Sequence, residues 1–402
     1  MIYQTRSTLI ATALGGLVAV PACAQTFERA ERNADFEPAF EEQFRAELVD
    51  SGVELSTETV ASGLVHPWGI AILPGEDGYI VTERPGQLRH VSEDGTISEP
   101  ISGVPEVMNE RQGGLLDVKL APDFAENRRI YMTYAKPLRG GRNATAAAFG
   151  TLSEDMSALE DVNEFFVQEP GSYSPMHFGS RVVFDEDGHV FVTTGEHFGE
   201  DERVFAQDLD KTYGKTVRFN LDGTIPDDNP FVDNGDAIPS IWSYGHRNVQ
   251  GALVMDGTLW AIEHGPAGGD ELNVIEAGAN YGWPVVSYGQ NYDGTPVGSG
   301  EPRQEGMEEP VYFWDPVIAP GDMIAYDGEM FGDWQGDLLI GSLNPGGIAR
   351  LSLSDGRVQE EERILMDLGR VRDVTVDEDG SILAITDFEN GEIIRITPAG
   401  SS

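Results

Sequence analysis

The run Trp242-Ser243-Tyr244-Gly245-His246-Arg247-Asn248 is followed closely by Glu263-His264-Gly265-Pro266-Ala267-Gly268-Gly269-Asp270-Glu271-Leu272-Asn273. Together they gather a guanidinium, carboxylates, amides and glycines, a mixture that a hydrophobic core does not need. A pocket that holds an anionic cofactor beside a hard metal ion could use all of them. Arg247 offers a planar fork to a carboxylate or a developing oxyanion, and Asn248 adds an amide. Gly265 and Pro266 present backbone carbonyls with little steric cover. Asp270 and Glu271 are adjacent hard oxygens, and Tyr281 follows in Asn280-Tyr281-Gly282-Trp283-Pro284. Oxygen donors of this kind suit Ca²⁺ better than Zn²⁺.

A proton acceptor is available in Met176-His177-Phe178-Gly179-Ser180-Arg181, just ahead of an expected strand. An imidazole there can take a proton near neutral pH; the plainer reading is a histidine that closes a turn. Glu196, in Thr194-Gly195-Glu196-His197, ends the second strand of the same hairpin. A hairpin returns its ends to one side, so Glu196 can reach His177 and orient it; otherwise it is one more solvated acid. Gln112 sits on a glycine-rich turn, Arg111-Gln112-Gly113-Gly114, and can donate an amide hydrogen bond. Arg370-Val371-Arg372 places two guanidinium groups on one face of a strand, because the side-chain period is two. In a chain with 26 basic residues that pair suggests an anionic ligand, against the alternative of salt bridging to abundant acids. His66, His90 and His189 look structural, and His246 and His264 look like supports. No histidine pair has zinc spacing and no Gly-x-Ser-x-Gly motif occurs, which disfavours zinc and serine hydrolases.

These residues need a scaffold that brings distant segments to one place. Three stretches repeat one pattern: Trp68–Glu83, Ser180–Thr194 and Asp373–Asp387. Each reads as a strand, an acidic Asp-Gly turn and a second strand. Asp-Gly between apolar runs is a strong hairpin signal, since the turn needs positive φ. A further glycine turn and strand follow in the first and third copies. An antiparallel unit repeated from about residue 54 to the end predicts an all-β protein, a six-bladed β-propeller, rather than a pair of β-sandwiches.

Composition agrees. The chain has 402 residues, 48 glycines and 23 prolines, as a turn-rich β fold requires, and a formal charge of -43. Such acidity excludes general nucleic-acid binding and reads mainly as a solvated surface. Residues 1–24 read as a signal peptide: Arg6, an apolar stretch too short to span a bilayer, then Ala22-Cys23-Ala24. The alternative is a lipoprotein with Cys23 lipidated. Export to the periplasm follows either way, with no further transmembrane span. Cys23 is the only cysteine, so the folded domain has no disulfide. Residues 25–53 read as an acidic N-terminal arm or short helix, and 54–402 as the propeller.

From His66 to Pro398 several motifs stand in a specific order. They include Leu64-Val65-His66-Pro67-Trp68-Gly69, Gln112-Gly113-Gly114-Leu115-Leu116-Asp117, His177-Phe178-Gly179-Ser180-Arg181, Ser243-Tyr244-Gly245-His246-Arg247-Asn248, Glu263-His264-Gly265-Pro266 and Arg370-Val371-Arg372-Asp373. In these the chain resembles the quinoprotein glucose/sorbosone dehydrogenases, above all the soluble aldose sugar dehydrogenases that use pyrroloquinoline quinone (PQQ). The resemblance implies a six-bladed propeller with PQQ on its axial face. It implies that His177 is the general base for the anomeric hydroxyl, that Glu196 supports it, and that hydride passes from sugar C1 to the quinone to give a lactone. Arg247 would stabilise charge on the quinone. Gln112, Asn248, Tyr292, Arg370 and Arg372 match quinone contacts, Gly265 and Pro266 match carbonyls near a calcium ion, and Glu271 and Tyr281 match a structural calcium site.

Two positions depart from the family pattern. Asn344 stands where a lysine commonly meets the quinone, which should weaken binding. Asp322 stands where relatives often have a small polar residue, and would repel the cofactor or contact sugar. The competing readings are a calcium-dependent sugar lactonase and a non-catalytic ligand-binding propeller. The partners implied are an aldose and an electron acceptor that the sequence does not name, for a monomer or homodimer.

Overall fold

The computed structural model describes residues 27–75 and 78–400. The expected signal peptide, Cys23 included, lies outside the described residues. The chain divides into a short unit, Met1–Ala30, and a large one, Glu31–Ser402. What is described of the short unit has no regular secondary structure.

The large unit is nearly all β, and its strands form six sheets. The hairpin 179–194 shows why the sequence folds this way. Val182, Val183 and Phe184 pair with Val192, Phe191 and Val190 across the turn. Gly188 supplies φ of +88°, and Asp185 Oδ1 accepts the N–H groups of Asp187 and His189 at 3.0 and 2.8 Å. Successive side chains then point to opposite faces. Val182 and Val192 pack with Tyr131, Ala147 and Phe166 of the preceding sheet. Val183 and Phe191 pack with Val249, Ala252 and Ala261 of the following one. Both faces of the sheet are therefore buried, each against a neighbouring sheet. The other sheet interfaces repeat the arrangement, so the core is six wedges and the fold is a six-bladed β-propeller.

The innermost strands of the blades are Pro67–Ile72, Leu115–Leu120, Gly179–Phe184, Val249–Met255, Pro320–Ala325 and Val371–Val376. Each packs on the next, and the sixth returns to the first. The ring is closed by sequence ends: Leu55–Leu64 pairs antiparallel with Gly391–Pro398, so the sixth blade mixes the start and the end of the propeller. The described part of the stretch expected to be an arm or short helix has mostly no regular secondary structure. From Glu31 onward it holds a 3₁₀ turn, Glu41–Gln43, and a strand, Glu47–Leu48, that runs parallel to Arg357–Ile364. Phe44 stacks on Phe313 at 4.5 Å. The exposed edge of the fifth blade offers unpaired backbone groups, and covering it outweighs local helix formation.

An ion cluster fills the channel between the innermost strands. Arg181 Nη1 bridges Asp117 at 2.8 Å and Asp373 at 3.3 Å, and its Nε meets Asp322 at 3.2 Å. Lys119 holds the other oxygen of Asp322 at 3.2 Å. Asp322 is fully buried. The expectation that it faces cofactor or sugar is therefore corrected. Two cations neutralise it inside the channel.

Candidate active site

The loops entering the innermost strands converge on one axial face. Gln112 Oε1 accepts the backbone N–H of His177 at 2.8 Å. Asn248 Oδ1 accepts that of Gly179 at 3.0 Å. These two amides fix the turn that carries His177, whose own φ is +47°. Gly195 is required beside it: a Cβ there would lie 2.1 Å from the His177 carbonyl oxygen.

The His177 ring is buried, and its Nδ1 lies 3.1 Å from Glu196 Oε2. Burial pushes the imidazole pKa below its ordinary value, and nearby Arg247 adds to this against the pull of Glu196. Burial alone would raise the Glu196 carboxyl, but His177, Arg247 and the Phe198 N–H together hold it below its usual range. The pair is thus a neutral imidazole and a carboxylate. Nδ1 donates to Glu196, which leaves Nε2 as a basic lone pair.

Arg247 stands next to this pair. Glu263 Oε2 accepts its backbone N–H at 2.6 Å, and Glu263 Oε1 meets His246 Nδ1 at 2.9 Å. Its guanidinium lies over Trp283 at 5.1 Å. Nη1 donates to the carbonyls of Gly265 and His264 at 2.6 and 3.0 Å, and Nη2 to Tyr292 Oη at 3.4 Å. Nε is buried without a hydrogen-bond partner and sits 4.0 Å from Glu196.

On the opposite side, Arg370 and Arg372 share one carboxylate. Asp387 Oδ2 accepts from them at 3.1 and 2.7 Å, and Asp387 Oδ1 meets His66 Nδ1 at 2.9 Å. The pair therefore keeps one net positive charge, and the Arg370 side chain remains 44% exposed. Arg372 Nη1 also donates to Gln250 at 2.7 Å, while its Nε has no partner.

Comparison with known proteins places this arrangement. Residues 64–395 match the profile of the Glucose / Sorbosone dehydrogenase family. The chain belongs to that family. It is 43% identical over 349 residues to the aldose sugar dehydrogenase YliI of Escherichia coli, covering 86% of this chain and 93% of that one. It is 28% identical to the quinoprotein glucose dehydrogenase B of Acinetobacter calcoaceticus, over 80% of this chain and 84% of the other. The PQQ-bound aldose sugar dehydrogenase of Streptomyces coelicolor superposes with a TM-score of 0.67 at 25% identity, over 86% and 99% of the two chains. As a glucose/sorbosone dehydrogenase, the protein is an enzyme of the sugar dehydrogenase class.

Within this family member the metal-ligand candidates are adjacent but not alike. The Gly265 carbonyl is engaged by Arg247, so a cation there requires the guanidinium to move. A Cβ on Gly265 would lie 2.2 Å from Gly269, which explains the glycine. Glu271 borders a small cavity of about 10 Å³ together with Glu263, Gly265, Pro266 and Tyr281. Burial, then the neighbouring Glu263, pushes the Glu271 carboxyl well up. A cation in that cavity would relieve both, so this donor set fits calcium. The Tyr281 hydroxyl is already committed to Val274 O and Glu276 N, which leaves its carbonyl as the donor. Asn344 lies exposed on the same face, next to Leu343, whose carbonyl accepts from Arg370.

Sequence reasoning missed Asp387, Gln250 and Phe198. Asp387 was within reach: the hairpin rule that joins Glu196 to His177 also returns Asp387 to Arg372. Gln250 links Arg372 to His264 Nε2, 3.2 Å away, and nothing in its local sequence marks it.

Proposed function

We propose that this glucose/sorbosone dehydrogenase is a PQQ- and calcium-dependent aldose dehydrogenase that oxidises the sugar at C1 to the lactone. The reading rests on one observation above others: a neutral, buried His177 aligned by Glu196 beside an arginine whose Nε lacks a partner. The three guanidinium groups of this face, those of Arg247, Arg370 and Arg372, in a chain of charge -43, suit a cofactor that carries three carboxylates. Arg247, Arg370, Arg372, Gln112, Asn248, Tyr292 and Asn344 would hold it, with Gly265 and Pro266 offering carbonyls to a calcium beside it and Glu271 and Tyr281 to a second. When bound, PQQ supplies the acceptor for a hydride from sugar C1, and calcium polarises that acceptor.

The chain's own residues do the rest. His177 Nε2 takes the proton of the C1 hydroxyl, which raises the electron density that expels hydride from the same carbon. Glu196 fixes the tautomer and stabilises the imidazolium that forms. Arg247 offers Nε to the negative charge that develops across the site. Burial of His177 and Arg247 keeps water from competing for both. Export to the periplasm belongs to the same proposal; among the described residues no helix is long and apolar enough to cross a membrane.

The test is reconstitution. Protein supplied with PQQ and Ca²⁺ should reduce a dye acceptor with an aldose and release the lactone. Protein without PQQ should do neither. Equal turnover with and without PQQ would refute the reading.

A further inference from the structure

Phe198 is held at this site in a form that packing does not explain. Its φ is +68°, and that of His197 before it is +63°. That region is disfavoured for any residue with a Cβ. The strain does not serve to bury the ring, which is 42% exposed. Instead the ring stands edge-on to His177, 5.1 Å between centroids, and 6.3 Å from the ring of Tyr292. The Phe198 N–H donates to Glu196 Oε2, the same oxygen that meets His177 Nδ1. Tyr292 is 67% exposed, and its hydroxyl accepts from Arg247. An apolar ring is therefore fastened through its backbone to the carboxylate that aligns the base, and it is exposed beside the His177 and Tyr292 rings.

Strained backbone persists where its surroundings over-determine it, and such an outlier points to a role. An exposed phenyl ring offers no hydrogen bond, so it does not recognise a carboxylate. It suits a ligand with an apolar face and polar edges. A pyranose with equatorial hydroxyls is such a ligand, since its axial C–H bonds line each face of the ring. We propose that Phe198 is the platform on which the C–H face of a pyranose aldose stacks while its C1 hydroxyl meets His177. Phe198 thereby selects ring-form sugars with an unbroken C–H face. The inference rests on the reading of the site as a sugar dehydrogenase.

The test uses holoenzyme reconstituted with PQQ and Ca²⁺, with D-glucose and D-xylose as substrates. Phe198→Ala should raise KM about five- to tenfold, the size of an aromatic stacking contact, with kcat changed by less than about twofold. Phe198→Tyr and Phe198→Trp should restore KM. Phe198→Gly should show the same rise in KM with a melting temperature no lower than wild type, because glycine relieves the strain. PQQ affinity should be the same in all. A KM unchanged in Phe198→Ala would overturn the proposal. So would a loss confined to kcat or to the acid limb of the pH profile, which would make the ring a water shield for His177 and Glu196. Failure of wild type to bind PQQ is a different result, and it would remove the site reading together with this one.

Discussion

In the proposed mechanism, proton transfer depends on one neutral histidine. Replacing His177 by Asn should lower kcat by about 10²–10⁴-fold, the range of general-base catalysis, with little change in melting temperature, because the ring packs at a strand end rather than in a blade interface. The pH profile follows from the same burial. A base must be unprotonated to act, and burial depresses the His177 pKa below the ordinary 6.5. Activity should therefore be full at neutral pH and fall only as pH drops through that depressed value. An acid limb centred above 6.5 would contradict the environment described for His177. Position 344 makes a second test. Asn344 lies beside the Arg370 side of the site, so Asn344→Lys adds a cation near a bound polyanion. An exposed charge at short range is worth about 1 kcal/mol in water, so PQQ affinity should rise about fivefold, and the gain should shrink in high salt. An unchanged affinity at low salt would show that residue 344 does not face the cofactor.

The elements explain why some of this was legible in the sequence. The Asp-Gly hairpins at 185–188 and 377–380 were readable because turn chemistry is local, and they sufficed to predict the blades and the His177–Glu196 contact. The channel cluster was not readable. Asp117, Lys119, Arg181, Asp322 and Asp373 come from four innermost strands, and only ring closure brings them together. Seen alone, Asp322 looked like a site residue, because an isolated acid carries no mark of its partners. Its structural role gives a prediction. Asp322→Asn should destabilise the fold by about 1–3 kcal/mol, since it weakens two buried pairs, and should leave the sugar KM unchanged. Urea denaturation and steady-state kinetics measure the two effects. A raised KM with unchanged stability would return Asp322 to the site. Lys215 is equally silent in sequence: buried, it donates to the carbonyls of Phe205, Ala206 and Tyr213 and so ties down the segment that follows Glu196 and Phe198.

For the whole molecule, the fold converts six small blade interfaces into one functional face. Gln112, His177, Asn248, Gln250 and Arg372 come from four blades, so the Gln112–His177, Asn248–Gly179 and Gln250–Arg372 contacts require the blades to pack together. The net charge of -43 makes the three arginines of this face more telling, because the surface as a whole repels anions. The proposed function requires that this face bind PQQ with the help of calcium. The direct measurement is a titration of the purified protein with PQQ, followed by absorbance, with and without Ca²⁺. Saturable binding of one PQQ per chain, tighter with Ca²⁺ and weakened in Arg372→Ala, is the expected result. Absence of saturable binding in the presence of Ca²⁺ would contradict it.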